Sequence, residues 1–417
     1  MKICFVVSTY PRNEQDPAVP WLREYLRRLK DRGYDVRVFA PAFLGSPHHE
    51  IDGIPVHRFR YFAAGKEDLT HDAGAPTKIR RPGYLLLAIF YILCGAFGLA
   101  RLHRRERFDA IHVHWPFPHG LFGILATRLL PTRLVLSFHG AELLLARKFS
   151  FVNPVLRYCL RHADSVTCNS SYTASHIRAL GTGTTVDVLP YGSPLPQRTP
   201  VHHHRPEKTI LFVGRLIERK GVEYLLRAMP QVTQRIDASL VIVGNGPLLP
   251  ELRDRAAELG IAHCVEFRTD VPEDELMTAY EESDIFVLPA IVDSRGDTEG
   301  LGVVLIEALS FHRPVVASAV GGITDVVLHN KTGLLVPEKN PDALADAIVE
   351  VLSDPTRAQK LAEQGYAHVS ETFDWDRIMD RAELLYPTVT TSRMPETSRH
   401  PSRVDNSAGL GVAKDTL

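Results

Sequence analysis

The chain alternates short apolar, β-branched runs with helical patterns, and it does so twice. In the first half, residues 2–8, 35–40, 55–60, 110–114 and 134–139 read as strands, with a helix over 19–32. The second half repeats the plan. Strands are expected over 209–213, 239–243, 265–268, 285–288 and 315–317, and helices over 221–234, 247–259 and 303–310. An uninterrupted apolar run bounded by turn residues suits a strand buried on both faces of a parallel sheet. Residues 195–208, rich in Pro, His and Arg, separate the halves and read as a linker. The expectation is therefore two doubly wound α/β domains, 1–194 and 209–387, with ligand bound at the strand ends in the cleft between them. Residues 388–417, rich in Ser, Thr, Pro and Arg, read as a disordered tail.

Two glutamates mark that cleft. Glu299 precedes a Gly300-Leu301-Gly302 turn, and Glu307 lies within the apolar helix that the turn opens. The turn offers free backbone N–H groups to an anion, with a carboxylate on either side to hold hydroxyls. That pattern suits a phosphorylated sugar better than a metal. Upstream, Val213-Gly-Arg215-Leu-Ile-Glu-Arg219-Lys220-Gly221 ends one strand and opens a helix. Arg215 can grip two phosphate oxygens through its planar fork, while Lys220 acts as a mobile point charge. Taken alone the segment is equally a solvated basic turn; followed by the glutamates it reads as a clamp for a departing diphosphate. The Gly244-Asn-Gly246 turn lacks a third glycine for a dinucleotide fingerprint. It reads either as a loop beside a nucleotide or as an ordinary turn.

The formal charge of −1 hides an asymmetry: residues 1–190 hold 25 Lys and Arg against 15 Asp and Glu. The basic half should favour an anionic surface or substrate. Cys4, Cys94, Cys159, Cys168 and Cys264 lack metal-ligand spacing and read as free thiols, which with the strand-like N-terminus predicts a cytoplasmic protein. Residues 84–100 carry no charge and are flanked by Arg80, Arg81, Arg101, Arg104 and Arg105. A buried helix is the first reading, a helix lying in a membrane interface the second, and a span the third. A span would part strands 55–60 and 110–114, which one sheet needs together.

The order Gly-Arg-x4-Lys-Gly, Gly-x-Gly-Pro, Val-Leu-Pro289, Glu-Gly-Leu-Gly-x4-Glu307-Ala, Pro-Val-Val-Ala317, Gly-Gly322 and Asn330-Lys-Thr-Gly-Leu-Leu-Val-Pro337 resembles the donor-binding domain of the retaining family 4 glycosyltransferases, over residues 207–375. The first half resembles that family's acceptor domain more loosely, around residues 109–119 and Ser137-Phe-His139-Gly140. The 291–298 insert and the Trp115-Pro-x-Pro-His-Gly120 loop look most like bacterial exopolysaccharide enzymes.

The resemblance implies a GT-B fold of two Rossmann-like domains and a nucleotide-diphosphate sugar as donor. It implies no cofactor and no metal motif. Arg215 and Lys220 would contact the diphosphate, with Gly300, Leu301 and Gly302 near the phosphate or sugar. Glu307 would take the ribose, Glu299 the transferred sugar, and Gly244, Gly246 and Val271 would lie by the nucleotide. His139 would face the sugar across the cleft, although a lone His after an apolar strand is commonly structural. Asp16, Trp115 and His119 sit on loops expected to face the acceptor, or to scaffold those loops. The acceptor is expected to be lipid-linked or phosphorylated, with peripheral membrane contact through the basic half. Two other readings stand beside this one: a nucleotide-sugar epimerase on the same fold, and a non-catalytic nucleotide-sugar binder. The family's glycine-rich loop after the first strand is absent here, and Thr324-Asp325 replaces the usual Pro-Glu pair.

Overall fold

The structure is a computed structural model that describes residues 1–16, 18–70, 78, 82–193, 195 and 207–387. Most of the expected linker, Arg80, Arg81 and the expected tail lie outside the described residues. One eight-stranded sheet contains β1 (Lys2–Val6), β2 (Asp35–Pro41), β3 (His49–Ile51), β4 (Ile54–Phe59), β5 (Ala110–His114), β6 (Arg133–Phe138), β7 (Ser165–Cys168) and β8 (Asp187–Val188). Its order is β3-β4-β2-β1-β5-β6-β7-β8, parallel throughout except for β3 against β4. A six-stranded parallel sheet holds β9 (Lys208–Val213), β10 (Ala238–Val243), β11 (Val265–Arg268), β12 (Ile285–Leu288), β13 (Val315–Ser318) and β14 (Leu334–Val336), ordered β11-β10-β9-β12-β13-β14.

The apolar runs of the sequence explain both sheets. Successive side chains of a strand point to opposite faces. Ile3 and Phe5 of β1 therefore enter one core, and Cys4 and Val6 the other. β3, β7, β8 and β14, two to four residues each, escape sequence reading. In each sheet the chain reverses its direction of winding beside the first strand, between β1 and β5 and between β9 and β12. Loops leaving the carboxyl ends of these strands diverge at that point and leave a crevice.

Residues 375–386 depart from the expected boundary at 387. Trp375, Ile378, Met379, Ala382, Leu385 and Tyr386 join the core containing Ile3, Phe5 and Leu22 of the first sheet. Arg32 meets Asp380 at 2.7 Å, and Trp375 Nε1 donates to the Ser193 carbonyl at 2.8 Å. Each buried aliphatic side chain contributes roughly 2 kcal/mol, so this terminal helix ties itself firmly to the first sheet.

The long apolar helix is Pro82–Glu106. It is the one helix among the described residues that is long and apolar enough to cross a membrane. It does not part the strands that flank it, because β4 and β5 belong to one sheet. The buried-helix expectation holds for one face only. Leu87, Tyr91, Leu99 and Leu102 are buried in the core that holds Phe39 and Phe59 of the sheet and Phe122 of the helix Pro116–Leu129, while the opposite face is open.

Candidate active site

The loop after β9 carries the cations. Gly221 has φ +67°, and a side chain there would stand 1.9 Å from the Pro289 carbonyl oxygen, so glycine lets this loop press on the one after β12. The close approach puts Lys220, which is buried, 2.6 Å from a Glu299 carboxylate oxygen. Arg219 reaches the same oxygen at 3.0 Å and comes within 3.6 Å of Asp297. Burial pushes the Glu299 carboxyl up, but the Lys220 ammonium and Arg219 guanidinium outweigh it and hold the group at about 2. Arg215 is exposed at the same strand end and makes no side-chain hydrogen bond or ion pair among the described residues.

Glu299, Gly300, Leu301 and Gly302 form the expected turn. Gly302, at φ +86°, precedes the helix Val303–Ser310. The Leu301 side chain goes into the core. The Gly322 amide donates to the Glu299 carbonyl at 2.9 Å, tying the turn to the loop after β13. Glu307 is buried on that helix, where the Tyr280 hydroxyl donates to it at 2.7 Å. Burial raises its carboxyl above the usual range, against the Tyr280 hydrogen bond and the Lys220 charge. The insert is pinned by Glu218, which accepts the Ser294 amide at 2.8 Å.

Gly244 and Gly246 have a structural account of their own. Side chains there would stand 2.0 Å from the Gly214 carbonyl oxygen and 2.4 Å from that of Leu216, so both glycines let the loops after β9 and β10 stack. Val271, half-buried just beyond β11, packs against the same core.

The facing wall belongs to the first sheet and is aromatic. The His139 ring, at the end of β6, hydrogen-bonds His114 Nδ1 at 2.9 Å and the Tyr191 hydroxyl. The Trp115 and Trp21 rings lie 4.7 and 4.9 Å from it. Burial holds His139 well below the usual imidazole range, helped by His114, and burial alone holds His114 at about 3. Both are neutral at ordinary pH. The His139 amide donates to Glu142, whose fully buried carboxyl is raised by burial to about 7.

The two walls touch. A side chain at Gly300 would stand 3.0 Å from Asn169 Nδ2 and 3.7 Å from the His139 carbonyl oxygen. Asp325 reaches across to accept the Ser171 amide at 2.6 Å, at the start of the helix Ser171–Arg178. His139 and the Glu299–Gly300 turn are thus brought together, with the His139 ring bound into its own wall and its carbonyl toward the turn.

Two of the acceptor-side residues take the scaffolding alternative. Asp16 is buried, accepts the Arg12 amide at 3.0 Å and side chain at 2.5 Å, and accepts the Ala18 amide at 3.2 Å. It closes its own loop because a short carboxylate there can satisfy nearby amides. His119 is buried in the first turns of the helix Pro116–Leu129 and bonds the Tyr91 hydroxyl at 2.7 Å and the Trp115 carbonyl at 2.9 Å. The Trp115–Gly120 segment bends at Phe117, which is non-helical, before the continuous helix begins, and His119 there turns toward Tyr91 on the long apolar helix. Trp115 remains at the wall. Sequence reading missed Arg219 and Asn169 as contributors and marked Asp325 only as a departure from the family's pattern; for Arg219 the adjacency to Lys220 offered a signal.

Known proteins share this architecture. The family model described as group 1 glycosyl transferases matches residues 197–368. A glycosyl transferase 4-like domain matches residues 19–192. The chain is 36% identical, over 264 residues, to the GDP-mannose-dependent alpha-(1-6)-phosphatidylinositol monomannoside mannosyltransferase of Mycobacterium tuberculosis, covering 59% of this chain and 67% of that one. The protein of the same name from Mycolicibacterium smegmatis is 35% identical over 286 residues, 64% of this chain and 74% of the relative. Among solved structures, sucrose-phosphate synthase from Thermosynechococcus elongatus matches with a TM-score of 0.72 at 22% identity, over 93% of this chain and 98% of that one. Anabaena HepE in complex with UDP matches with a TM-score of 0.68 at 19% identity, over 92% and 99%. At those identities the structures speak for the fold alone. Two parallel sheets facing across a cleft, the ordered motifs and these relatives together place the chain in family 4 of the glycosyltransferases, as a glycosyltransferase of GT-B fold.

Proposed function

We propose that the protein is a retaining transferase that moves a hexosyl group from a nucleotide-diphosphate sugar to a hydroxyl of a lipid-linked or phosphorylated acceptor. It serves polysaccharide or glycoconjugate assembly, exopolysaccharide included, at the inner face of the cytoplasmic membrane and needs no metal ion. The observation that carries this reading is Glu299 clamped by Lys220 and Arg219 beside the Gly300 turn, with Glu307 on the helix that the turn opens. A diphosphate entering the cleft competes with Glu299 for the same cations, and Arg215 adds a third. Glu299, released in part, turns to hydroxyls of the sugar, and Glu307 takes the ribose. The names of the mycobacterial relatives, GDP-mannose-dependent mannosyltransferases, support the donor class.

In the proposed step the acceptor oxygen attacks the anomeric carbon from the face that the phosphate leaves. The bond from that carbon to the phosphate oxygen breaks, and the acceptor proton passes to the departing phosphate. Lys220, Arg219 and Arg215 stabilise the charge that builds there. A carboxylate pair flanking the sugar, which a glycosidase uses, is not required. Neutral His139 and the rings around it shape the sugar's other side without competing for phosphate.

Thermal-shift titration with GDP-mannose and UDP-glucose, followed by product analysis with lipid-linked acceptors and chelator present, tests the reading. Glu307→Ala is expected to abolish donor binding, and the anomeric NMR signal of the product should match the donor's. Unchanged donor affinity in that variant, or an inverted product, overturns the assignment.

A further inference from the structure

The open face of the helix Pro82–Glu106 has no partner among the described residues. Leu85, Leu86, Ile89, Phe90, Leu93 and Phe97 lie on it, each between 39% and 68% exposed. Their spacing by three and four residues makes one continuous stripe. Phe62, also exposed, extends it sideways, its ring 5.7 Å from that of Phe90. The same stripe runs on through Arg101 and Arg104, both exposed and without an ion pair among the described residues. Soluble proteins rarely show so large a contiguous apolar surface unless something covers it.

We propose that this face docks the enzyme onto an anionic phospholipid bilayer, with the helix lying flat in the headgroup region. The proposal rests on the lipid-linked acceptor of the preceding reading and gives it a surface. Charge selects the occupant. Two copies packed through this face would set each arginine against another arginine or against leucine, and neither compensates a guanidinium. Lipid phosphates do, while the acyl boundary takes the leucines and phenylalanines. A span is excluded because the helix's other face is bound to the sheet.

The placement also serves the cleft. Tyr91 packs on Phe59 at the carboxyl end of β4, with ring centroids 5.2 Å apart, and bonds His119 just past β5. At the helix's other end Glu106 meets Lys2, at the start of β1, at 2.6 Å. The apolar half of the stripe thus lies toward the strand ends where the crevice opens. Docked this way, the bilayer meets the protein beside the cleft's first-sheet wall, where a lipid-linked hydroxyl can enter without leaving the membrane.

Density flotation of the full chain decides it. Vesicles of phosphatidylcholine are compared with vesicles containing about one-third phosphatidylglycerol, and each basic residue near such a surface strengthens partitioning about fivefold. The wild type is expected to float with the anionic vesicles. Leu93→Asp with Phe97→Asp should lose flotation on both compositions. Arg101→Glu with Arg104→Glu should lose at least tenfold on the anionic vesicles alone. All four positions are exposed, and unchanged melting curves check that the variants fold. A wild type that stays in the soluble fraction, or an aspartate variant that floats as well as wild type, overturns the proposal. So does a dimer in sedimentation equilibrium that the aspartates dissolve without any vesicle binding, which would assign the face to a second copy. Donor binding is measured on the same samples. Donor binding without flotation sinks the docking surface alone, and flotation without donor binding sinks the transferase reading alone.

Discussion

The two walls of the cleft solve opposite electrostatic problems. The wall of the second sheet keeps charge: Lys220 and Arg219 meet Glu299 within 3.0 Å and hold its carboxyl at about 2. The wall of the first sheet removes charge: burial leaves His112, His114 and His139 as neutral imidazoles among Trp21, Trp115 and Tyr191. On the proposed function, a diphosphate and an uncharged sugar ring use these two environments. Had the imidazoles been protonated, they would have drawn phosphate to the wrong side of the cleft. The contrast teaches that burial alone does different work on the two sides. It neutralises a group that lacks a counter-ion, and it strengthens a pair that has one.

The largest expected effect comes from breaking the charged wall. Lys220→Ala removes the closest cation from both Glu299 and the incoming phosphate, and should lower kcat/KM by roughly a hundred- to a thousandfold. Steady-state kinetics with saturating acceptor check this, and a loss below tenfold would mean that Arg215 and Arg219 suffice without it.

A second test works on the neutral wall. Glu142, behind His139, has its carboxyl raised from 4.5 to about 7. The folded state therefore binds that proton more tightly than the unfolded chain. The associated stability is complete below about 4.5 and fades as pH rises through 7, for a total on the order of 3 kcal/mol. Glu142→Gln keeps an acceptor for the His139 amide and loses the titration. Its melting temperature should exceed that of the wild type at pH 8 and converge with it near pH 4.5. Parallel melting curves at both pH values would show that Glu142 titrates normally.

The smallest effect on activity is expected outside both walls. His119→Ala leaves the buried Tyr91 hydroxyl unsatisfied and should cost about 1–3 kcal/mol of stability, with acceptor KM unchanged. Calorimetry and kinetics separate the two, and a raised acceptor KM would return His119 to the cleft.

Legibility in the sequence followed the range of the interactions. Parallel strands such as β1 and β9 announce themselves because burial on both faces demands an unbroken apolar run. The Glu299–Glu307 spacing is legible because turn and helix are contiguous. His119 and Asp16 stayed open between two roles because a polar residue near a turn looks the same whether it faces a cleft or caps its own loop. The helix 375–383 misled because its amphipathic pattern shows that one face is buried and leaves open against which sheet.

The sequence by itself determined two parallel α/β sheets, the order of the cation and glutamate motifs, and an apolar helix with arginines at its end. Those properties rest on periodicity and turn chemistry within a few residues. Tertiary structure decided which cation holds Glu299, where Arg219 acts from 80 residues away. It decided that Tyr386 closes the core beside Tyr25, 361 residues apart. It also decided which face of the long helix stays open. Each of these depends on loops and faces meeting in space, and a pattern local to the chain carries no record of what it will be pressed against.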